Sequence, residues 1–425
     1  MSNTTKKILF LGGFEKMIDA VNAAHEMGLY VIVTDYLENS PAKKIADEAL
    51  SYSIDDVENI VKYCLEHKVD SVLNIFVDPA QKPYQEICTR LNLPCYGTKK
   101  QFEYLTDKKL FKKLCHESEV QTIPEYLIDL SDNDWKKADI AYPIYIKPVD
   151  KYASKGQSVC NDSDAVEAAI QKARELSGSH TFIAEKFMTD NDFTIKYRFD
   201  NEHIEVLWTA DRYLHNSSNG TGRIAIAHGM PSKFTQLYFE KVHANICNMF
   251  HKLNITAGEA FLQGFVDGET IRFYDPAFRF SGGQTYRIID EVFNMSQLKE
   301  IICFAITGAM NNEYSCASRN KYLLKGKRAV ILMPTMNAGI IKEIRGLDEI
   351  SDHSAVVALT QTHYIGDNIV EDGTAQQRIA YIHVVSDTKK ELIETVRWIN
   401  HKLSVIDIYG NEMLTRDFNP ELLNY

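Results

Sequence analysis

Residues 273–287 read FYDPAFRFSGGQTYR. An acid, Asp275, and an arginine, Arg279, stand four residues apart, and a Ser281-Gly282-Gly283 turn follows. Charge mixed with aromatics and glycines deep inside a chain is not the composition of a core strand. A carboxylate suits a hard cation, and a guanidinium suits a planar oxyanion. Glycines let the backbone pass close to a ligand without Cβ hindrance. Strand alternation predicts Asp275 and Ala277 on one face, with Arg279 next along the same edge. The bland alternative is that Asp275 and Arg279 pair with each other as a structural salt bridge.

A second chemistry-bearing stretch is IYIKPVDKYASKGQSV. Lys147 falls late in a strand that Pro148 stops, and the loop beyond holds Ser154, Lys155 and Gly156. Such a loop can offer backbone N–H groups, a hydroxyl and an ammonium to a polyphosphate. It is not a Walker A sequence. Taken alone, it is better read as a solvated hairpin loop with surface lysines, but it has company. Lys108 stands in TDKKLF about forty residues earlier, and FIAEKFMTDNDFTIKY about forty later puts Glu185 before a break and Asp192 after it. Then AFLQGFVDGETIRFYDP places Gln263 and Asp275 on neighbouring hairpin strands joined at Asp267-Gly268.

The elements that must position these residues follow from the pattern. Residues 6–97 alternate short apolar runs with helical spacings, KILFLGG, MIDAVNAAHEMG, YVIVTD, VENIVKYCLEHK and SVLNIF. That βαβαβ order predicts a parallel sheet with ligand chemistry at the C-terminal strand ends. Gly12-Gly13 reads as a tight strand-to-helix turn facing a ligand, because the third glycine of a dinucleotide fingerprint, to go with Asp35, is missing. Thr106 is the expected N-cap of the TDKKLFKKLCHES helix, and FTQLYFEKVHANICNMFHKLN reads as one long amphipathic helix. From about residue 326 a β-rich segment closes the chain.

The chain has 425 residues, a net charge of −11 and eight scattered cysteines without a C-x-x-C pair. Length allows two to four domains. The acidity argues against nucleic acid or an anionic membrane as the main partner, and the cysteines read as reduced thiols of a cytoplasmic protein. No apolar run approaches the length of a membrane span, and the N-terminus lacks signal-peptide architecture. There is no H-E-x-x-H pattern and no readable Ser/His/Asp or Cys/His arrangement. His228 could face substrate, but a surface or hydrogen-bonded histidine is the favoured reading. Arg287 reads equally as a carboxylate binder or as a structural ion pair.

The ordered set of two lysines, phosphate loop, Glu-led hinge and paired hairpin resembles the ATP-grasp superfamily, in its carboxylase and carbamoyl-phosphate-synthase branch. The overall look is similar to L-amino-acid ligases and other carboxylate–amine ligases. The resemblance covers roughly residues 1–325 and implies an α/β multidomain fold. It divides the chain into a pre-ATP-grasp domain over 1–100, an ATP-grasp domain over 101–325 with a mobile lid at about 119–184, and a C-terminal β-rich domain over 326–425. It implies that Lys108 and Lys147 touch ATP phosphates, with Lys147 near the adenine edge, and that Ser154, Lys155 and Gly156 fold over the β- and γ-phosphates. Glu185 would face the adenine amino group, Lys186 and Phe187 would supply hinge backbone to the base, and Asp192 would hold the ribose hydroxyls. Gln263 and Asp275 would bind Mg2+ (or Mn2+), Arg279 would match the arginine of the E-x-N-x-R strand end, and Arg279 and Lys155 would serve catalysis. The sequence departs from that pattern at Asp275 and Asp192, each in place of Glu. Gln263 replaces Glu as in the carbamoyl-phosphate-synthase variant, and Ala277 replaces a metal-binding Asn.

The resemblance implies an ATP-dependent carboxylate–amine ligase that forms an acyl phosphate from small-molecule substrates, without nucleic acid or membrane, with a homodimer compatible. A carboxyphosphate enzyme using bicarbonate remains an alternative, ranked lower because duplicated synthetase halves, an amidotransferase domain and a biotin-carrier segment are lacking. A nucleotide-binding regulatory protein with lost catalysis remains another, with Ala277 as its sole support.

Overall fold

A computed structural model of the chain describes residues 5–130, 139–149, 156–178, 180–189, 191–201, 203–216, 223–310, 313–416 and 418–425. The apolar runs of the N-terminal segment become β1 (Lys7–Leu11), β2 (Tyr30–Thr34), β3 (Glu48–Leu50) and β4 (Ser71–Leu73). They form a parallel sheet in the order β3-β2-β1-β4. The helices Met17–Glu26 and Val57–His67 supply crossovers, as parallel neighbours require. The SVLNIF run is strand only over Ser71–Leu73. Gly12 turns at a φ of +95°, where a side chain would be strained. Asp35 accepts from Gly13 N at 2.7 Å and Leu37 N at 2.8 Å, so its carboxylate braces this turn.

The central part departs from sequence expectation in two local details. The expected long helix is two, Thr235–Lys241 and His243–Leu253, broken where Val242 leaves helical geometry at φ −130°. The N-cap of the Lys108–His116 helix is Asp107, which accepts from Lys109 N and Leu110 N, while Thr106 instead donates to Gln81 at 2.9 Å.

A small antiparallel sheet in the order β6-β5-β7 is built from β5 (Ile144–Pro148), β6 (Ser158–Cys160) and β7 (Phe182–Lys186). The helix Val166–Leu176 packs on it, and this unit has its own apolar core around Ile144, Ile146, Ile170 and Ala173. Beyond it come β8 (Asp192–Asp200), β9 (His203–Asn216), β10 (Arg223–Met230), β11 (Ala257–Asp267) and β12 (Thr270–Ala277). The closing segment adds β13 (Arg328–Leu332), β14 (Gly339–Arg345), β15 (Val356–Gln361), β16 (Asn368–Ile369), β17 (Ala380–Ser386) and β18 (Ser404–Asp407). One eight-stranded sheet runs β12-β11-β8-β9-β10-β13-β17-β15. Residues after 326 therefore extend the central sheet through β13, β17 and β15, and only β14, β16 and β18 form a separate sheet. No helix among the described residues is long and apolar enough to cross a membrane.

The largest core joins the N-terminal sheet (Ile8, Phe10, Val33) to the central one (Phe193, Phe199, Phe273, Phe278). Burying aromatics of this size contributes roughly 2–3 kcal/mol each, so the N-terminal strand ends are fixed against the face of the central sheet.

Candidate active site

A cavity of about 300 Å³ opens between the small sheet, the central sheet and the end of β4. Nine of the residues singled out above line it: Lys108, Lys147, Glu185, Lys186, Phe187, Asp192, Gln263, Asp275 and Arg279. Ser154 and Lys155 lie outside the described residues. Gly156 does not line the cavity; its φ of +77°, and a Pro148 carbon 2.8 Å from where a Cβ would stand, make it a backbone requirement of the loop.

At the end nearest the small sheet, charges are paired within the protein. Glu185, 1% exposed, receives Lys147 Nζ at 2.6 Å on one oxygen and Lys112 Nζ at 2.5 Å on the other. Burial alone would raise the Glu185 pKa, but the two ammonium groups outweigh it and hold the carboxyl below its usual range. Glu185 is thus the shared counter-ion of two buried lysines. Lys112 also meets Glu125 at 2.6 Å. Sequence reasoning missed Lys112, though the signal was present: it follows Lys108 by four residues in one helix, which puts both on one face. The hinge backbone is engaged as well. Lys186 N donates to Pro124 O at 3.0 Å and Phe187 N to Pro143 O at 3.1 Å.

The hairpin brings its pair together as register demands: Gln263 lies opposite Asp275, with a bulge just beyond Gln263 that makes Tyr274 the extra residue. Asp275 meets Lys108 Nζ at 3.6 Å. Arg212 Nη1 donates to Asp192 at 2.9 and 3.1 Å, to Gln263 Oε1 at 3.1 Å and to Tyr274 OH at 2.6 Å. Tyr274 also donates to Gln263 at 3.2 Å and stacks on Phe265, with ring centres 5.0 Å apart. Burial and the Asp192 charge keep this phenol protonated, although Arg212 opposes them.

Arg279 does not pair with Asp275. Its Nε donates to Asp78 Oδ1 at 2.5 Å and its Nη2 to the other oxygen, a two-pronged contact across 201 residues of sequence. The structural salt bridge envisaged between Asp275 and Arg279 is therefore corrected: the arginine's partner is Asp78, just past β4. Burial would depress the guanidinium pKa, but Asp78 raises it. An acid at the C-terminal end of a parallel strand is a recognisable signal, and Asp78 was missed because nothing local ties it to Arg279. Arg287 proves to be an ion pair, bound to Asp19 at 2.9 and 2.7 Å.

Beyond the cavity wall at Arg378 the Gly282-Gly283 turn is different; Lys16, Tyr381 and His228 gather there but do not themselves line the cavity. Lys16 donates to the Gly282 carbonyl and sits 4.1 Å from the Tyr381 ring centre. Arg378 donates to Tyr381 OH and to Ala225 O, both at 2.9 Å. Neither cation has a carboxylate partner among the described residues. Burial would raise the Tyr381 pKa, but Arg378 and Lys16 override it and lower the phenol to about 8. His228 is neither on the surface nor hydrogen-bonded, against expectation: it is 8% exposed and both ring nitrogens lack a partner.

Residues 107–205 match the family model described as the carbamoyl-phosphate synthase L chain, ATP binding domain. Over 192 residues the chain is 28% identical to the formate-dependent phosphoribosylglycinamide formyltransferase of Prochlorococcus marinus (strain NATL1A), covering 43% of this chain and 48% of that one. The Trichormus variabilis protein of the same name is 29% identical over 190 residues, with the same shares. The chain thus matches about half the length of these curated relatives. Among solved structures, the L-amino acid ligase from Bacillus licheniformis superposes with a TM-score of 0.76 at 18% identity, over 96% of this chain and 100% of that one. The phosphoribosylglycinamide synthetase from Anaerococcus prevotii gives 0.75 at 16% identity, over 95% and 100%. Residues 107–205 are thus similar to that ATP-binding domain, and the chain as a whole has the fold these solved structures share.

Proposed function

We propose that the protein is an ATP-dependent carboxylate–amine ligase that converts a small carboxylate to an acyl phosphate and transfers the acyl group to an amine. The observation that carries this reading is the convergence of Lys108, Lys147, Gln263, Asp275 and Arg279 on one cavity from a helix, the small sheet and the central hairpin. The similar proteins named above include a formate-dependent enzyme and an amino-acid ligase, which favours a small carboxylate as the activated group.

The aromatic walls of the cavity, Tyr145, Phe187, Phe265 and Tyr274, suit a purine base, and the segment of about 119–184 is the candidate lid. Lys147 and Lys108 neutralise phosphate charge, and each must exchange its present partner, Glu185 or Asp275, for phosphate oxygen. Gln263 and Asp275 fit a nucleotide-bound Mg2+: they are opposed oxygen donors, and such an ion commonly takes only one or two protein ligands beside phosphates and water. Ala277 offers no third oxygen. When bound, that ion offsets charge on the phosphate oxygens. Arg279, oriented by Asp78, holds the transferring phosphoryl group while the substrate carboxylate oxygen attacks it, and then the oxyanion formed at the acyl carbon. Positioning and charge neutralisation suffice for phosphoryl transfer, with no protein nucleophile.

The test is ADP release across the twenty amino acids, singly and in pairs, with formate and bicarbonate alongside. Stimulation by particular carboxylate and amine pairs is the expected result. Turnover that depends on bicarbonate alone, or nucleotide binding without turnover, would overturn the reading.

A further inference from the structure

His228 is a buried group beside the cavity that the proposed chemistry leaves without a task. It sits on β10 directly opposite Arg212 of β9, a cavity-lining residue, and opposite Ile331 of β13, which in turn faces His383 of β17. Residues directly opposite in a sheet share a face, so His228 belongs to the same sheet face as Arg212. Its Nδ1 and Cε1 edge is turned to the Gly283 backbone, 4.0 Å from where a Cβ on that glycine would stand. A buried imidazole with neither nitrogen bonded is costly. Buried polar groups are otherwise almost always partnered. A ligand group that bonds it would remove that cost.

We propose that His228 accepts the proton of the attacking amine, and that the amine substrate carries an anionic group held by Arg378 and Lys16. This deepens the ligase reading and rests on it. In the transfer step the amine nitrogen lone pair forms the new C–N bond to the acyl carbon. The carbon–oxygen bond to phosphate breaks, with its electron pair leaving on inorganic phosphate. The proton lost from nitrogen goes to a ring nitrogen of His228 and from there to solvent or the departing phosphate.

The charged groups around His228 support this division of labour. Burial, then the charges of Arg212, Arg378 and His383, hold its pKa well below the ordinary histidine range, so it is neutral and able to accept. Arg212 is already balanced by Asp192, whereas Arg378 and Lys16 have no carboxylate among the described residues; Nε of both arginines is buried without a partner. A carboxylate or phosphate on the substrate would balance the Arg378 charge and raise the basicity of His228 when the amine arrives.

Hydroxylamine, largely unprotonated at neutral pH, traps acyl phosphates without needing a base, and it separates the two claims. With the twenty amino acids and formate as carboxylates, wild type should form a hydroxamate in the presence of ATP and an amide with an amino-acid amine. His228→Gln should keep its thermal midpoint, ATP affinity and hydroxamate yield. It should lose amide formation by about 100-fold, as for a missing general base, and recover it as pH is raised. His228→Asn serves if the glutamine variant does not fold. Equal amide rates in variant and wild type, or parallel loss of hydroxamate and amide, would overturn the assignment of His228 while the ligase reading stands. No hydroxamate from wild type with any carboxylate would overturn the ligase reading and this inference with it.

Discussion

The small-sheet end of the cavity and the glycine turn beyond its wall balance charge in different ways. At the small-sheet end each described cation has a carboxylate of the protein itself: Lys112 and Lys147 share Glu185, Lys108 has Asp275 and Arg212 has Asp192. At the glycine turn Lys16 and Arg378 meet a phenol and backbone carbonyls but no described carboxylate, and the ring nitrogens of His228 have no hydrogen bond. Internal counter-ions fix side chains in place before a ligand arrives, and the ligand must then exchange with them. Cations without a counter-ion and an imidazole without a hydrogen bond leave their balance open to a ligand, whose charge would change their properties. Arg279 and Asp78 lie between the two regions and decide which rule governs the reacting centre.

Removing Arg279 should therefore have the largest effect. Arg279→Met takes away the group that holds the transferring phosphoryl and leaves Asp78, whose side chain is 17% exposed, without a cation. Turnover should fall by on the order of 100-fold or more, as when a preorganised transition-state charge is lost. Stability should fall by about 2–3 kcal/mol, below the range for wholly buried pairs. Urea midpoints and ADP release separate these losses. Adding Asp78→Asn should restore the midpoint but not the rate; recovery of both would make the pair purely structural.

Lys147→Ala tests the pre-paired end. Glu185 keeps Lys112, so the fold survives, and the expected loss is about tenfold in ATP affinity, in line with a charge-assisted hydrogen bond. Calorimetry should show this loss to exceed that of Lys155→Ala, whose effect should fall mainly on turnover. The reverse order would mean that the Glu185 pairing holds Lys147 away from the nucleotide.

The pre-paired end was also the legible end. Lys108, Lys147, Glu185, Asp192, Gln263 and Asp275 were legible because their order along the chain resembles the ATP-grasp pattern, and only the Gln263–Asp275 pairing is enforced locally, by the hairpin. Asp78 and Arg378 come to the cavity from loops remote in sequence, which no local pattern encodes, whereas Arg212 stands opposite Asp192 in the β8–β9 hairpin and was simply not singled out. The eight-stranded sheet shows the same limit: its strands were foreseeable one by one from alternation, but the joining of β10 to β13, across about 100 residues, was not. His228 was misjudged for a related reason. Burial and lack of a partner are properties of the neighbours, and only the assembled sheet supplies them.

Further along the same strands the balance tips toward excess acid, and pH should reveal it. Burial pushes Glu259 up to about 7, with Lys196 partly opposing, and Asp290 up to about 8, opposed mainly by its hydrogen bonds from Gln297 and only then by Lys196. A carboxyl whose folded pKa is raised binds its proton more tightly in the folded state. It therefore lowers stability as pH climbs from the unfolded value, near 4, to the folded one. His383, depressed to about 4 by burial and by Arg287, and His228 act oppositely, but only below their unfolded value of about 6.5. Between about pH 6.5 and 8 the carboxyls act without that opposition, and each should cost up to about 1.4 kcal/mol per pH unit. Urea midpoints should fall across that window, and Asp290→Asn should flatten the slope. A flat wild-type profile would mean that Lys196 balances both acids.

The smallest effect should come from Gly283→Ala, and it bears most directly on the glycine turn. Gly283 has no left-handed φ. Its added methyl would meet Ser281 Oγ at 3.6 Å and the His228 ring at 4.0 Å, both ordinary contacts. Stability should therefore stay within about 0.5 kcal/mol of wild type, as for a substitution without strain. The methyl would nevertheless stand against the imidazole edge that the amine is proposed to approach. The KM for the amine should rise several-fold, while the KM for ATP and the hydroxamate yield should not move. An unchanged amine KM would mean that the amine reaches the acyl carbon from another side, and the space at Gly283 would then belong to the packing of the turn alone.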